Sequence, residues 1–339
     1  MSILLKIFPA DLGVDLGTSR TIISKKDGTI LIDEPSVVAI DMSNYEVRAV
    51  GNEAKEMLGK TPDNILAVRP LEHGVIADFE PAQAMLTYFL RKAVKGYSLF
   101  QPRLAITIPM GLTDVERRSV EDVGLHAGAR DVRLVEENIA SAVGLDIDVE
   151  RPDGHLLINV GAGTIEASVV SLGGVVASHC EMMGGEDIDS NIQYLLKKNF
   201  NLLIGIQTAE EIKIKLCSIE EYDQKNAMEV TGRDLVTGMP KTIQITASDI
   251  IEGINPIILE TVKSTRDVLE KIPPDISADI VKEGIYFLGG VSQINGFAEY
   301  ITSEINIDLL KVDHPESCTG AGIGRSIPFV YKKKKPVIK

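Results

Sequence analysis

Three glycine-rich turns hold the residues whose types and spacing could do chemistry: Asp15-Leu16-Gly17-Thr18-Ser19, Asn159-Val160-Gly161-Ala162-Gly163-Thr164 and Leu288-Gly289-Gly290-Val291-Ser292. Glycine has no Cβ, so such turns bring backbone N–H groups close to a ligand, and phosphate groups are the usual beneficiary. None reads GxxxxGK followed by Ser or Thr, which excludes a P-loop. GAGTIE is a poor dinucleotide fingerprint, because a strand rather than a helix follows it. One Gly-Thr turn between strands commonly does no more than reverse the chain. Two of them at equivalent places in the two halves, one preceded by Asp15, suit a polyphosphate clasped from both sides, with Asp15 holding a hydrated Mg2+.

The elements that must position these turns read as alternating strands and helices. Apolar period-2 runs from Leu12 to Ile40 predict strands in hairpins around the Lys26-Asp27-Gly28 turn. The segment 80–96 predicts a helix with a face of Ala84, Met85, Tyr88, Phe89 and Ala93. PRLAITIP predicts a buried strand, and Thr113 with Glu116 a capping box that opens the next helix. VRLVEENIASAVGL adds a strand and a helix. The layout then repeats in HLLINVGAGTIEASVVSLGGVV, where Asn159 lies 144 positions after Asp15. Such a repeat suggests a duplicated chain. Thr208 with Glu211 predicts a second capping box on a helix from Ala209 to Tyr222. Polar strands run to about Ser248, a long helix is expected over 247–272, and a strand-turn-helix closes in GIYFLGGVSQINGFAEYI. This alternation predicts two α/β domains.

Composition narrows the field. The chain has 339 residues, 44% hydrophobic and 25% charged, which is ordinary globular usage and enough for two cores. Cys180, Cys217 and Cys318 are far apart and lack CxxC spacing, so neither a disulfide framework nor a zinc site is indicated, and a reducing compartment is expected. The net charge of −14 argues against nucleic-acid binding. Five lysines crowd the end of the chain (Lys332, Lys333, Lys334, Lys335 and Lys339), and setting them aside leaves −19 on the rest. No run reaches the ~18–20 apolar residues of a membrane span. MSILLKIF is too short for a signal-peptide core, so a cytoplasmic protein is expected.

DLGTS, NVGAGT, LGGVS and the segment AEEIK resemble the two phosphate motifs and the adenosine motif of the actin-like ATPase superfamily. DEPSVVAID, HGVIADFE, PRLAITIP, VEENIASAVG, SLGGVV, GGEDID and AEEIKIK are similar to the MreB family of bacterial actins, from about Leu12 to Ile327. The resemblance implies an actin-like fold of two related α/β domains in four subdomains. Domain I would span 1–145, with a subdomain over about 33–72, and be completed by 318–339. Domain II would span 146–317, with a subdomain over about 186–248. ATP and Mg2+ are the implied ligands. Gly17, Thr18 and Ser19 would contact the β- and γ-phosphates with Asp15 near Mg2+, and Asn159, Gly161, Ala162, Gly163 and Thr164 would form the opposing turn. Glu210 and Lys213, with neighbouring Glu211, would flank ribose and adenine, and Gly289, Gly290, Val291 and Ser292 would pass over the base. Glu137 matches the family's water-polarising glutamate, and Thr164 the threonine that helps position that water. Glu137, Glu210 and Glu211 also suit helix N-termini for dipole reasons alone.

Four departures fall on this site. The family usually has Asp where Asn159 stands, further glycines and a threonine where Ala162, Ile165 and Val291 stand, and proline where Asn138 stands. The expectation is Mg-ATP binding with slow hydrolysis, since phosphoryl transfer relies on an oriented water and charge neutralisation. The family polymerises, so the implied partner is the chain itself in paired protofilaments, with other cytoskeletal paralogues also possible. Leu99 and Phe100 match the family's membrane-insertion loop. Together with Lys332, Lys333, Lys334 and Lys335 they suggest peripheral attachment to the inner face of an anionic membrane. A small-molecule kinase of the same superfamily is the second reading, and nothing beyond the nucleotide motifs suggests an acceptor pocket for it. A chaperone-type ATPase is the third, but no substrate-binding domain follows.

Overall fold

The computed structural model describes residues 11–94, 101–219 and 227–331. By its internal contacts the chain forms two units: residues up to Met57, Thr61–Glu150 and Ser317 onward, and Leu58–Lys60 with Arg151–Glu316.

The first unit opens with the antiparallel strands β1 (Asp11–Leu16), β2 (Arg20–Lys25) and β3 (Ile30–Pro35). A small sheet of β4 (Val38–Asp41), β5 (Glu46–Val50) and β6 (Ile65–Val68) follows, with helix α1 (Asn52–Met57) and the short pair β7 (Leu71–Glu72) and β8 (Val75–Ile76). Then come α2 (Phe79–Ala93), β9 (Arg103–Ile108), α3 (Asp114–His126), β10 (Asp131–Glu136) and α4 (Glu137–Gly144). The main sheet runs β10-β9-β1-β2-β3, with β10, β9 and β1 parallel. Leu12, Val14, Ile23, Leu104 and Ile106 from its strands and Met85, Leu86 and Phe89 from α2 share one core.

The second unit repeats that plan. Antiparallel β11 (His155–Val160), β12 (Ile165–Ser171) and β13 (Gly174–Glu181) lead into α5 (Gly185–Phe200), β14 (Leu202–Leu203) and α6 (Ile206–Leu216). The hairpin β15 (Ala227–Asp234) and β16 (Pro240–Thr246) joins β14 in a small sheet. Helices α7 (Asn255–Leu269) and α8 (Pro274–Glu283), strand β17 (Ile285–Leu288), helix α9 (Phe297–Ile305) and strand β18 (Leu309–Leu310) complete it. The main sheet runs β13-β12-β11-β17-β18, with β11, β17 and β18 parallel. Both five-stranded sheets therefore place an antiparallel triplet beside parallel strands, the duplication that the offset of 144 suggested. All seven residues of β12 are buried.

The C-terminal helix (Cys318–Val330) packs against α4 and β1 of the first unit, and glycines make the approach possible. A Cβ on Gly322 would lie 1.8 Å from the Ala140 carbonyl oxygen, so no other residue fits there. Glycine inside a helix costs roughly 0.5–1 kcal/mol against alanine, which the backbone contact between the helices offsets.

Three local expectations are corrected. The buried face of α2 is Ala82, Met85, Leu86, Phe89 and Leu90, while Tyr88 is exposed, so the apolar stripe is turned from the predicted one and shares only Met85 and Phe89 with it. Helix α6 starts at Ile206 after Gly205, leaving Thr208 inside the helix and no capping box at Thr208 and Glu211, and it stops at Leu216. The stretch 247–272 is broken into two 3-10 turns and α7, with Pro256 in the first turn of α7 where a missing N–H costs nothing. The capping box at Thr113 and Glu116 is present: the Glu116 N–H donates to Thr113 Oγ1 at 3.3 Å and the Thr113 N–H to Glu116 Oε2 at 2.7 Å.

Candidate functional site

In the first unit the candidate residues collect at the carboxyl ends of the parallel strands, the edge where open α/β sheets place ligands. Asp15 is the fifth residue of β1, and the Thr107 hydroxyl on neighbouring β9 donates to its Oδ1 at 2.7 Å. Burial pushes the Asp15 carboxyl up to about 6, against the pull of the Thr107 bond and the Arg20 charge. After β1 the chain turns tightly, with Gly17 N–H donating to the Arg20 carbonyl at 3.1 Å. Buried Ser36 pins that turn: its hydroxyl donates to the Gly17 carbonyl at 2.6 Å and its N–H to the Ser19 carbonyl at 2.9 Å. Thr18 is buried and its hydroxyl accepts from the Gly74 N–H at 2.8 Å, while Ser19 is half-buried. Glu137, half-buried, stands where β10 passes into α4, at the same sheet end. Asn138 beside it is fully buried, and neither atom of its amide group makes a hydrogen bond.

The second unit reproduces this arrangement. Asn159 is the fifth residue of β11, and Gly161 N–H donates to the Thr164 carbonyl at 2.9 Å, the counterpart of the Gly17–Arg20 bond 144 positions earlier. Directly across the strand pair from Asn159 stands Glu166, fully buried. The turn rests on the start of α5: Gly185 N–H donates to the Gly161 carbonyl at 3.0 Å and Glu186 N–H to the Ala162 carbonyl at 2.8 Å. A Cβ on Gly184 would lie 2.7 Å from the Ala162 carbonyl group. Lys213 on α6 reaches back to the same place, donating to the Gly185 carbonyl and to Asp189 Oδ2, both at 2.8 Å. Gly289 follows β17 with φ +88°, and a Cβ there would fall 2.6 Å from Asn159 Oδ1. Ser292 Oγ donates to the Gly289 carbonyl at 2.7 Å, and Val291 is buried against Gly185. Asn159, the 161–164 turn, Lys213, Gly289 and Val291 are thus assembled around the start of α5. Glu210 is half-buried one turn before Lys213, whereas Glu211 is exposed and ion-paired to Lys215 at 2.5 Å, apart from the group.

Residues 9–335 match the sequence model described as MreB/Mbl protein. The chain belongs to the MreB/Mbl family. Among MreB/Mbl relatives it is similar to the cell shape-determining protein Mbl of Bacillus subtilis (strain 168), 38% identical over 331 residues that cover 97% of this chain and 99% of that one. The cell shape-determining protein MreB of Escherichia coli (strain K12) is 36% identical over 330 residues, covering 96% and 95%. The solved structure of MreB5 of Spiroplasma citri bound to ADP aligns with a TM-score of 0.86 and 29% identity over 93% of this chain and 94% of that one; MreB5 is also solved bound to AMPPNP. The MamK double helical filament aligns with a TM-score of 0.78 at 21% identity, covering 94% and 98%, a likeness of fold. The fold is actin-like.

In this MreB/Mbl chain the residues that support the turns carry only weak sequence signals. Thr107, a lone hydroxyl on the apolar strand RLAITI, holds Asp15, and its polarity in a buried run was the available signal. Gly184 and Gly185 carry the second turn, and Asp189 anchors Lys213; the Gly-Gly pair before an acidic helix start was the clue. Leu99, Phe100 and Lys332, Lys333, Lys334 and Lys335 lie outside the described residues. Among the described residues, no helix is long and apolar enough to cross a membrane.

Proposed function

We propose that the chain binds Mg-ATP and assembles with its own copies into filaments that govern cell shape, or motility in a wall-less cell. The observation that carries this reading is the pair of matched strand-turn-strand elements, each closed by the same backbone bond and each presenting a polar residue at the same strand position, Asp15 and Asn159. The residues fit the nucleotide and its ion. Gly17, Gly161 and Gly163 carry no Cβ, so the turns leave room for phosphate beside the backbone, and the desolvation of Asp15 is a cost that a nearby cation offsets. Asp15 would hold Mg2+ through water, with Gly17, Thr18 and Ser19 on the phosphates. Gly161, Ala162, Gly163 and Thr164 would serve as the second phosphate turn. Glu210 would face ribose, and Gly289, Gly290, Val291 and Ser292 the base. Lys213 sets the start of α5 and so acts as a positioning residue. Bound Mg2+ would neutralise phosphate charge and orient the terminal phosphate.

Glu137 and Thr164 would orient the attacking water, and hydrolysis is slow because Asn159 supplies no negative charge there. Asn159 next to Glu166 keeps one carboxylate at this strand pair instead of two, which spares the fold a like-charge repulsion. The similarity to MreB5 bound to ADP and AMPPNP and to cell shape-determining MreB and Mbl supports the reading. The full-length match to that family leaves the kinase reading without a feature of its own. Attachment to the inner face of an anionic membrane, through Leu99, Phe100 and the lysine-rich end, completes the proposal, with paralogues as further partners. Calorimetric titration with ATP tests the binding step: Mg2+ tightens ATP binding to the parent chain, and Asp15→Asn removes that gain. Equal Mg2+ dependence in both proteins would overturn the role of Asp15.

A further inference from the structure

The edge strand β13 and helix α7 of the second unit bring four ionisable side chains that can bind metal to one place. His179 and Glu181 stand two apart on β13, so they share a face of the strand, and their partners across the sheet, Ala167 and Ile165, are buried. Glu260 comes from α7. One ligand atom from each of His179, Glu181 and Glu260 lies within 4.8 Å of the others. Both imidazole nitrogens are engaged: Nε2 lies 3.0 Å from Glu181 Oε1, and Nδ1 lies 3.4 Å from Asp267 Oδ2, one further turn along α7.

We propose that His179, Glu181 and Glu260 form a binding site for a divalent transition-metal ion of the zinc type. The second imidazole nitrogen decides between this and an ordinary acidic patch. A metal-bound histidine characteristically gives its other N–H to a carboxylate, which fixes the ring and the tautomer, and Asp267 stands in that place behind His179. A nitrogen donor with two carboxylates selects zinc-like ions over Mg2+ and Ca2+, which prefer oxygen alone. A further observation comes from α7 itself. Ser264 lies on the same stripe of α7, one turn from Glu260 and from Asp267; it is fully buried, and its hydroxyl makes no hydrogen bond. The ligand side chains retain partial exposure, 20% for His179 and 21% for Glu260, which leaves a route for an ion.

Lys263 is the built-in competitor. Its ammonium sits 2.7 Å from Glu260 Oε1 on a side chain 58% exposed, so it can swing into water when an ion takes that oxygen. The bound ion would add a polar link between the edge strand β13 and α7 to the apolar packing they already share.

The test uses the full chain, stripped with EDTA and free of nucleotide, titrated with Zn2+ by calorimetry and with Co2+ by absorption. The expected result is one ion per chain with cobalt bands of nitrogen and oxygen ligation and no thiolate charge-transfer band. Glu260→Gln, a change on a partly exposed helix face, abolishes the binding, and Asp267→Asn weakens it by about 10–100-fold. Lys263→Met tightens it. A rise in melting temperature with Zn2+ that disappears in Glu260→Gln gives the same answer without a spectrum. Binding unchanged in Glu260→Gln, a thiolate band, or no binding at millimolar metal would each overturn the proposal.

Discussion

Replacing Lys213 by methionine keeps the aliphatic stem and removes the ammonium that joins α6 to the start of α5. Two bonds are lost, to the Gly185 carbonyl and to Asp189 Oδ2, both at 2.8 Å. The Asp189 side chain is 2% exposed and that of Lys213 15%, so the aspartate loses its countercharge where water replaces it poorly. Breaking one side of a buried pair costs about 3–5 kcal/mol. The partial exposure at the lysine end places this case near 3 kcal/mol. For a unit of this size the melting temperature falls by roughly 2–4 °C per kcal/mol, so a drop of roughly 6–12 °C is expected in the transition of the second unit. The same helix carries its own control. Lys215 pairs with Glu211 at 2.5 Å, but both side chains are more than half exposed, and such pairs contribute about 0.3–0.5 kcal/mol. Lys215→Met should therefore move the melting temperature by roughly 1–2 °C at most. Calorimetric melting of both variants without nucleotide, alongside Lys213→Met/Asp189→Asn, is the assay. The double change should recover part of the loss, because it removes the stranded charge. Equal small shifts for Lys213→Met and Lys215→Met would refute the assignment of Lys213 as the buried strut.

Other expectations follow from single features. Gly322→Ala has no space beside the Ala140 carbonyl and should lower stability by several kcal/mol, seen as a lower urea midpoint; a neutral result would mean that the helices separate freely. Asn138→Leu removes a buried amide that makes no hydrogen bond and should raise stability by about 1–2 kcal/mol, and a loss instead would show that the amide is needed. Asp15 has a folded-state pKa of about 6, above its unfolded value of 3.8, so its protonated form stabilises the fold at low pH and that contribution fades as pH rises through 6. Asp15→Asn should therefore leave melting at pH 3.5 unchanged and raise it at pH 7.5, by up to about 2–3 kcal/mol in the nucleotide-free chain; the opposite pH order would contradict the burial argument. Asn159→Asp should release phosphate faster than the parent in a continuous phosphate assay while melting lower, because it sets a second carboxylate opposite Glu166. Parent turnover as fast as that of the variant would remove Asn159 as the brake.

What was legible in the sequence was local. The glycine turns, the strands around them and the Thr113 cap are encoded within a few residues, where period and turn chemistry act directly. The stripe of α2 was harder, since Met85 and Phe89 belong equally to two neighbouring stripes, and the choice of Ala82, Leu86 and Leu90 over Ala84 and Tyr88 is made by what the helix packs against. Thr208 and Glu211 have capping-box spacing, yet α6 begins after Gly205, because local spacing alone does not fix where a helix starts. The support of the site was least visible. Thr107 meets Asp15 across 92 positions, and Lys213 meets Asp189 from a different helix, so no window of sequence contains either pair. Residue types marked the chemistry, and sheet register and helix docking chose the partners.

In the proposed function, nucleotide binding drives assembly of this chain into filaments. ATP-dependent pelleting of the purified full chain, with electron microscopy of the pellet, tests it most directly. Paired protofilaments with Mg-ATP and soluble protein without nucleotide are expected; a chain that binds Mg-ATP by calorimetry yet stays in the supernatant without filaments would contradict the proposed assembly.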